Sequence, residues 1–113
     1  MPSTPQLFAV AELLARQQAS RRPYLEFLRV PLLSSGLYVL PAGAVDGQAP
    51  HSEDELYLVL SGSGQLKLND VSHAVGPGSI CFVPANVRHA FHSVTQDLQL
   101  LVVFAPAETP ASG

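Results

Sequence analysis

Imidazoles and carboxylates are the side chains of this sequence that could hold a metal ion or move a proton near neutral pH. There are four histidines: His51, His73, His89 and His92. Only His51 stands among several carboxylates, in the segment Ala49-Pro50-His51-Ser52-Glu53-Asp54-Glu55. On one straight strand His51 and Glu55 would lie ~13 Å apart, too far to share an ion at bond lengths of ~2 Å. A turn at Ser52-Glu53-Asp54, built from residues that favour turns, would bring the two face to face. The competing reading is a solvated acidic loop over Glu53, Asp54 and Glu55. His89 and His92 are three apart, so on an extended strand they face opposite sides and only one can point inward. His73 alternates with Val71 and Val75 and reads as a surface strand residue. By the same alternation Arg88 should point away from any pocket that His89 enters. Cys81, between Ile80 and Phe82, reads as a small buried hydrophobe. As the sole cysteine it excludes an internal disulfide and fits a reducing, cytoplasmic setting. No nucleophile elbow, phosphate-binding loop or Cys-x-x-Cys pair is present.

The elements that must position these side chains follow from the hydrophobic pattern. Leu7, Val10, Leu13, Leu14 and Gln17 recur at helical spacing, with Thr4 as N-cap and Pro5 at N1, so one amphipathic helix is expected over residues 5–19. After Pro23 the pattern changes to short apolar runs, at 24–30, 36–40, 55–60, 65–68, 71–75, 80–83, 88–92 and 98–104. Turn signals separate them, among them Ser61-Gly62-Ser63-Gly64, Asn69-Asp70, Gly76-Pro77-Gly78 and Gln96-Asp97. Many short strands at regular spacing indicate an all-β sandwich or barrel. Asn69-Asp70 is expected to close a tight hairpin, and Ser61–Gly64 to be a hairpin turn rather than a phosphate site. Along 55–60, Glu55, Tyr57 and Val59 share one face while Leu56, Leu58 and Leu60 share the other. Both faces are largely apolar, so Glu55 is expected among buried residues and needs a compensating partner. Tyr57, Phe82, Phe91 and Phe104 either line a pocket or fill the interior.

The 113 residues suffice for one domain. It divides into an N-terminal helical segment (1–22), an all-β body, sandwich or barrel (23–105), and a tail of small residues and proline expected to fray (106–113). Six basic against nine acidic residues give a net charge of −3, with no basic patch, which disfavours nucleic-acid binding. No apolar run approaches the ~18 residues of a membrane span, and the N-terminus lacks the layout of a secretory signal. Charged residues make up 13% of the chain, about half the usual share, which points to a surface partly covered by a second copy. A homodimer is expected, through edge strands or the N-terminal segment.

Two spaced patterns give the chain a family resemblance. The first reads Gly43, five residues, Ala49, one residue, His51, three residues, Glu55, six residues, Gly62. The second reads Gly78, five residues, Pro84, one residue, Asn86, two residues, His89, three residues, Ser93. The sequence thereby resembles the cupins, in particular the small single-domain bacterial members of the RmlC-like superfamily. It departs from their pattern at Ala49, where the family has a histidine, at Asn86 in place of glycine, and at Ser93 in place of asparagine. Asn tolerates the left-handed backbone that glycine would supply. The resemblance implies a jelly-roll barrel, a double-stranded β-helix. It places His51, Glu55 and His89 on three of the family's four metal-ligand positions, with Gln48 or Glu53 as candidates for the fourth. One divalent transition metal (Fe, Mn, Ni, Cu or Zn) suits two imidazoles and a carboxylate. A small polar ligand inside the barrel is the partner this implies. Oxygenation, isomerisation and hydrolysis all stay open, because one barrel hosts many chemistries. The alternative is a non-catalytic, ligand-binding or sensory barrel whose site has lost its metal.

Overall fold

The computed structural model describes residues 4–47 and 50–109. A helix, α1 (Val10–Ser20), precedes six strands: β1 (Tyr24–Val30), β2 (Leu33–Leu40), β3 (Asp54–Leu68), β4 (Val71–Val75), β5 (Ile80–Val83) and β6 (His89–Ala105). All pairings are antiparallel, in the order β1-β2-β6-β3-β4, with β5 on β3. The fold is the expected jelly-roll β-barrel. No helix among the described residues is long and apolar enough to cross a membrane.

The two long strands correct the sequence reading. Residues 55–60 and 65–68 are one strand, not two, and so are 88–92 and 98–104. The Ser61–Gly64 segment is no hairpin turn. There β3 crosses β6 through successive register shifts between Val59 and Gln65. Gly62, at φ 92, carries the bend, and a Cβ on it would run into the Asp97 carbonyl. Pairing along the whole of β6 keeps the strand continuous where local composition signals a break. One half of β3 pairs with β5 and the other with β4, so the ribbon wraps around an interior. That interior holds Tyr38, Leu40, Tyr57, Val59, Leu66, Phe91, Leu98, Leu100, Val102 and Phe104. The aromatics sort accordingly: Tyr57, Phe91 and Phe104 fill the core, whereas Phe82 faces outward.

The helix also starts later than its pattern indicates. Ala9, not Thr4, is the N-cap, and no side chain caps it. Phe8 packs edge-on against Phe27 of β1, with ring centroids 4.8 Å apart, and holds the preceding residues out of the helix. Leu7 is left 98% exposed, and Leu13 alone in the helix is buried. The helix packs on β1 and β2.

Residues 106–109 do not fray. Ala107 N–H donates to the Pro31 carbonyl (3.3 Å) and Glu108 N–H to Ser34 Oγ (2.8 Å). Arg29 donates to the Glu108 carbonyl, and Thr109 Oγ1 donates to Glu53 Oε2 (2.6 Å). This stretch is a strap across the β1–β2 hairpin. The rest of the expected tail, 110–113, lies outside the described residues, as do Gln48 and Ala49.

Candidate metal centre

Three elements deliver the site. The chain bends at Ser52-Glu53 before β3 begins at Asp54, so His51 and Glu55 sit on either side of a corner. The corner is pinned from the loop before β6. Asn86 N–H donates to the His51 carbonyl (2.7 Å) and Ala85 N–H to Asp54 Oδ1 (2.9 Å). Asn86 makes this contact in the left-handed conformation, φ 66, which its side chain tolerates. Three residues further on, His89 opens β6 facing inward, in register with Leu68 of β3. Donor atoms of His51, Glu55 and His89 lie within 4.8 Å of one another, near the roughly 3–4 Å that bonds of about 2 Å impose.

The details favour a cation. His89 Nδ1 is 2.9 Å from the Val87 carbonyl, which can only accept, so Nδ1 carries a proton. Neutral His89 then presents a lone pair on Nε2, and the Tyr57 hydroxyl lies 3.1 Å from it. Glu55 Oε1 approaches the same nitrogen to 3.0 Å, with both side chains 1% exposed. The approach lacks hydrogen-bond alignment, and neither Glu55 oxygen has a hydrogen-bond partner. A lone pair and a buried carboxylate this close repel unless a proton or a cation stands with them. Burial is the largest influence on His89 and disfavours its charged form. The Glu55 carboxylate and the Val87 carbonyl, with Asp46 beyond, outweigh it and raise the imidazole above its ordinary value. Burial, then the Glu55 charge, holds the Tyr57 phenol well above its usual range, so it stays a neutral donor. Two imidazoles and a buried carboxylate that lacks an aligned hydrogen bond fit a divalent transition metal.

Two further carboxylates serve the site, and the residue pattern signals neither. Asp46, on the loop after β2, accepts from the Tyr38 hydroxyl (2.9 Å) and the Phe91 N–H (3.1 Å). It ties the loop leading to His51 onto the barrel. Glu108, from the strap, puts Oε2 3.3 Å from His51 Nδ1. Burial pushes the Glu108 carboxyl up, His51 pulls it down, and Glu55, Glu53 and Glu26 push it up again. Glu53 is not a fourth donor here: Ser52 and Thr109 engage its carboxylate. The other candidate, Gln48, is outside the described residues, like Ala49 at the motif's first histidine position. His92 bonds Ser72 and Ser93 outside the barrel, His73 is exposed, and Arg88 is exposed as alternation requires. Cys81 is half-buried rather than buried, against the core edge.

Beside the triad opens a cavity of about 640 Å³, walled by Tyr24, Tyr38, Leu40, Val102 and Phe104 among others, with Glu55 and Glu108 in its lining. That volume is in the range of small-molecule sites, about 300–1,000 Å³.

The comparisons agree with this architecture. The family model for the cupin domain matches residues 36–104, and the chain belongs to that family. An uncharacterized protein of Streptomyces coelicolor is 44% identical over 102 residues, covering 90% of this chain and 97% of its own. Among solved structures, TT1209 from Thermus thermophilus superposes with a TM-score of 0.74 at 22% identity, over 89% of this chain and 97% of its own. An RmlC-like cupin with a double-stranded β-helix fold from Methanocaldococcus jannaschii gives 0.68 at 24% identity, over 74% and 78%. At such identities the structures speak for the fold alone.

Proposed function

We propose that this cupin holds one divalent transition metal (Fe, Mn, Ni, Cu or Zn) through His51, Glu55 and His89. With it the protein binds or acts on a small polar molecule in the adjoining cavity. The carrying observation is the convergence of His51, Glu55 and His89 donor atoms within 4.8 Å, with the buried Glu55 carboxylate 3.0 Å from His89 Nε2 and no aligned hydrogen bond to it. A divalent ion there supplies Lewis acidity toward a carbonyl, carboxylate or hydroxyl oxygen. The chain's own residues do the rest. Val87 fixes the tautomer of His89, Tyr57 offers a neutral hydroxyl beside it, and aromatic and aliphatic side chains make up most of the cavity wall. The wall suits a ligand with an apolar body and one polar end.

Untagged protein, stripped and then titrated with each metal by calorimetry, tests this. One equivalent bound in the parent, and none in Glu55→Gln or His89→Ala, is the expected result. Less than about a tenth of an equivalent of any of the five metals, unchanged on reconstitution, ends it. Ala49 favours a second reading, a barrel that binds its ligand without metal. Ligand binding that survives both chelation and His51→Ala would select that reading. We further propose a homodimer, supported by the low share of charged residues and by an uncovered apolar sheet face.

A further inference from the structure

We propose that Glu108 is a positioning residue of the metal centre, holding His51 through Nδ1 from a strap outside the family's matched segment. The inference rests on the metal reading above and extends it to a residue that the two motif blocks do not contain.

The two imidazoles need the same thing and obtain it differently. A histidine ligates with one ring nitrogen, and an acceptor at the other fixes its tautomer and its orientation. For His89 the acceptor is the Val87 carbonyl, two residues away in sequence and fixed by the backbone. The corresponding atom at His51 is Glu108 Oε2, at an ion-pair distance of 3.3 Å from Nδ1. Both side chains are mostly shielded, so water screens the contact little. The His51 ring also makes a T-shaped contact with Phe104, with centroids 4.8 Å apart. The ring is therefore contacted by both an aromatic ring and a carboxylate.

Glu108 is itself held in place. Its N–H donates to Ser34 Oγ and its carbonyl accepts from Arg29, which Glu26 clamps in turn at 2.9 Å. With both backbone groups fixed to the β1–β2 hairpin, few torsions remain to the carboxylate. Thr109, next in the chain, bonds Glu53 at the corner that carries His51. The strap thus grips the corner at two successive residues. Glu108 is outside the set of donors that converge within 4.8 Å, so its effect passes through His51. It also adds a second negative charge near a divalent ion, in a site where Ala49 occupies the motif's first histidine position.

Cobalt(II) titrations of the full chain, read by visible absorption and by chelator competition, test the role. Glu108→Ala should weaken cobalt binding about ten- to a hundredfold while the absorption bands keep their positions. Glu108→Gln, whose amide oxygen still accepts from Nδ1–H, should recover most of that loss. Ser34→Ala, which frees the strap without touching the site, should weaken binding in the same direction. Affinities within twofold of the parent in Glu108→Ala overturn the inference. So does a shift of the absorption bands, which would make Glu108 a ligand. Should Glu108→Ala not fold, unchanged affinity in both Glu108→Gln and Ser34→Ala overturns it equally. A parent that binds no cobalt brings down the metal reading itself, whereas a parent that binds and variants that match it remove Glu108 alone.

Discussion

A buried carboxylate without a hydrogen-bond donor costs several kcal/mol unless a proton or cation compensates it. Glu55 is in that position in the metal-free protein once His89 is neutral, and Glu55→Gln separates stability from binding. At a pH where His89 is neutral, the glutamine amide can donate to its Nε2, where the carboxylate faces only the lone pair. Metal-stripped Glu55→Gln should therefore be more stable than the stripped parent by about 1 kcal/mol. The parent, with metal at a hundred times its Kd, should gain about 2.7 kcal/mol, near 10 °C in Tm, and the variant nothing. Thermal melts with and without EDTA read both effects. A stripped variant that melts below the stripped parent contradicts this account of Glu55. The pH dependence belongs to His89. Its imidazole in the stripped fold is raised above the ordinary 6.5, so the folded state holds the proton more tightly than the unfolded state. The stabilisation is complete below pH 6.5 and is lost as pH rises through the folded value. Stripped protein should thus lose stability across neutral pH. Metal binding requires the neutral ring and should strengthen over the same interval. Denaturant midpoints between pH 5.5 and 8.5, with and without metal, should slope in opposite directions, and parallel slopes would contradict the assignment.

Strand periodicity made much of the barrel legible in the sequence. The alternation from Glu55 to Val59 placed the carboxylate inside, and the turn residues Ser52 and Asp54 gave the corner that brings it to His51. What the pattern could not show depends on partners distant in the chain. Glycine at Ser61–Gly64 marks a positive φ, but a hairpin and a bulged crossing both need one, and only the pairing with β6 decides between them. Phe8 leaves the helix because Phe27 is there to receive it. Glu108 sits in a segment of alanine and proline whose local composition signals fraying, and hydrogen bonds from β1 and β2 overrule that. The crossing gives a test at this scale. Gly62→Ala would place a Cβ against the Asp97 carbonyl at φ 92 and should cost more than about 2 kcal/mol. Gly76, on the turn before β5, has open space around the corresponding position. Gly76→Ala should be neutral or stabilising by up to about 1 kcal/mol, through the entropy of the unfolded chain. Urea titrations of the two variants should differ in midpoint and in sign relative to the parent. Equal midpoints would mean that the crossing is not the constrained point of the ribbon.

The outer surface of the barrel is not treated evenly. Helix α1 lies on β1 and β2, where Leu13 and Leu37 are both buried. Nothing among the described residues covers the corresponding face of β3 and β5. There Leu56 pairs across the strands with Phe82 and Leu58 with Ile80, and Leu56, Phe82 and Ile80 are 41%, 58% and 69% exposed. Exposed aliphatic and aromatic side chains paired across adjacent strands are the kind of surface that association removes from water. A two-fold axis through this face would set the patch on its own copy, apolar against apolar, with the exposed Asp54 at its rim. The same contact would brace β5, a four-residue strand paired only to β3, and β5 ends at Val83, just before the loop that pins His51. Phe82→Lys places a charge at the centre of the patch and leaves the interior untouched. The parent should sediment as a dimer at micromolar concentration and the variant as a monomer, with unchanged far-UV circular dichroism. Because β5 would lose its brace, the variant should also bind metal more weakly than the parent. A parent that sediments as a monomer at tens of micromolar, or a variant that remains dimeric, would show that this face is not the interface.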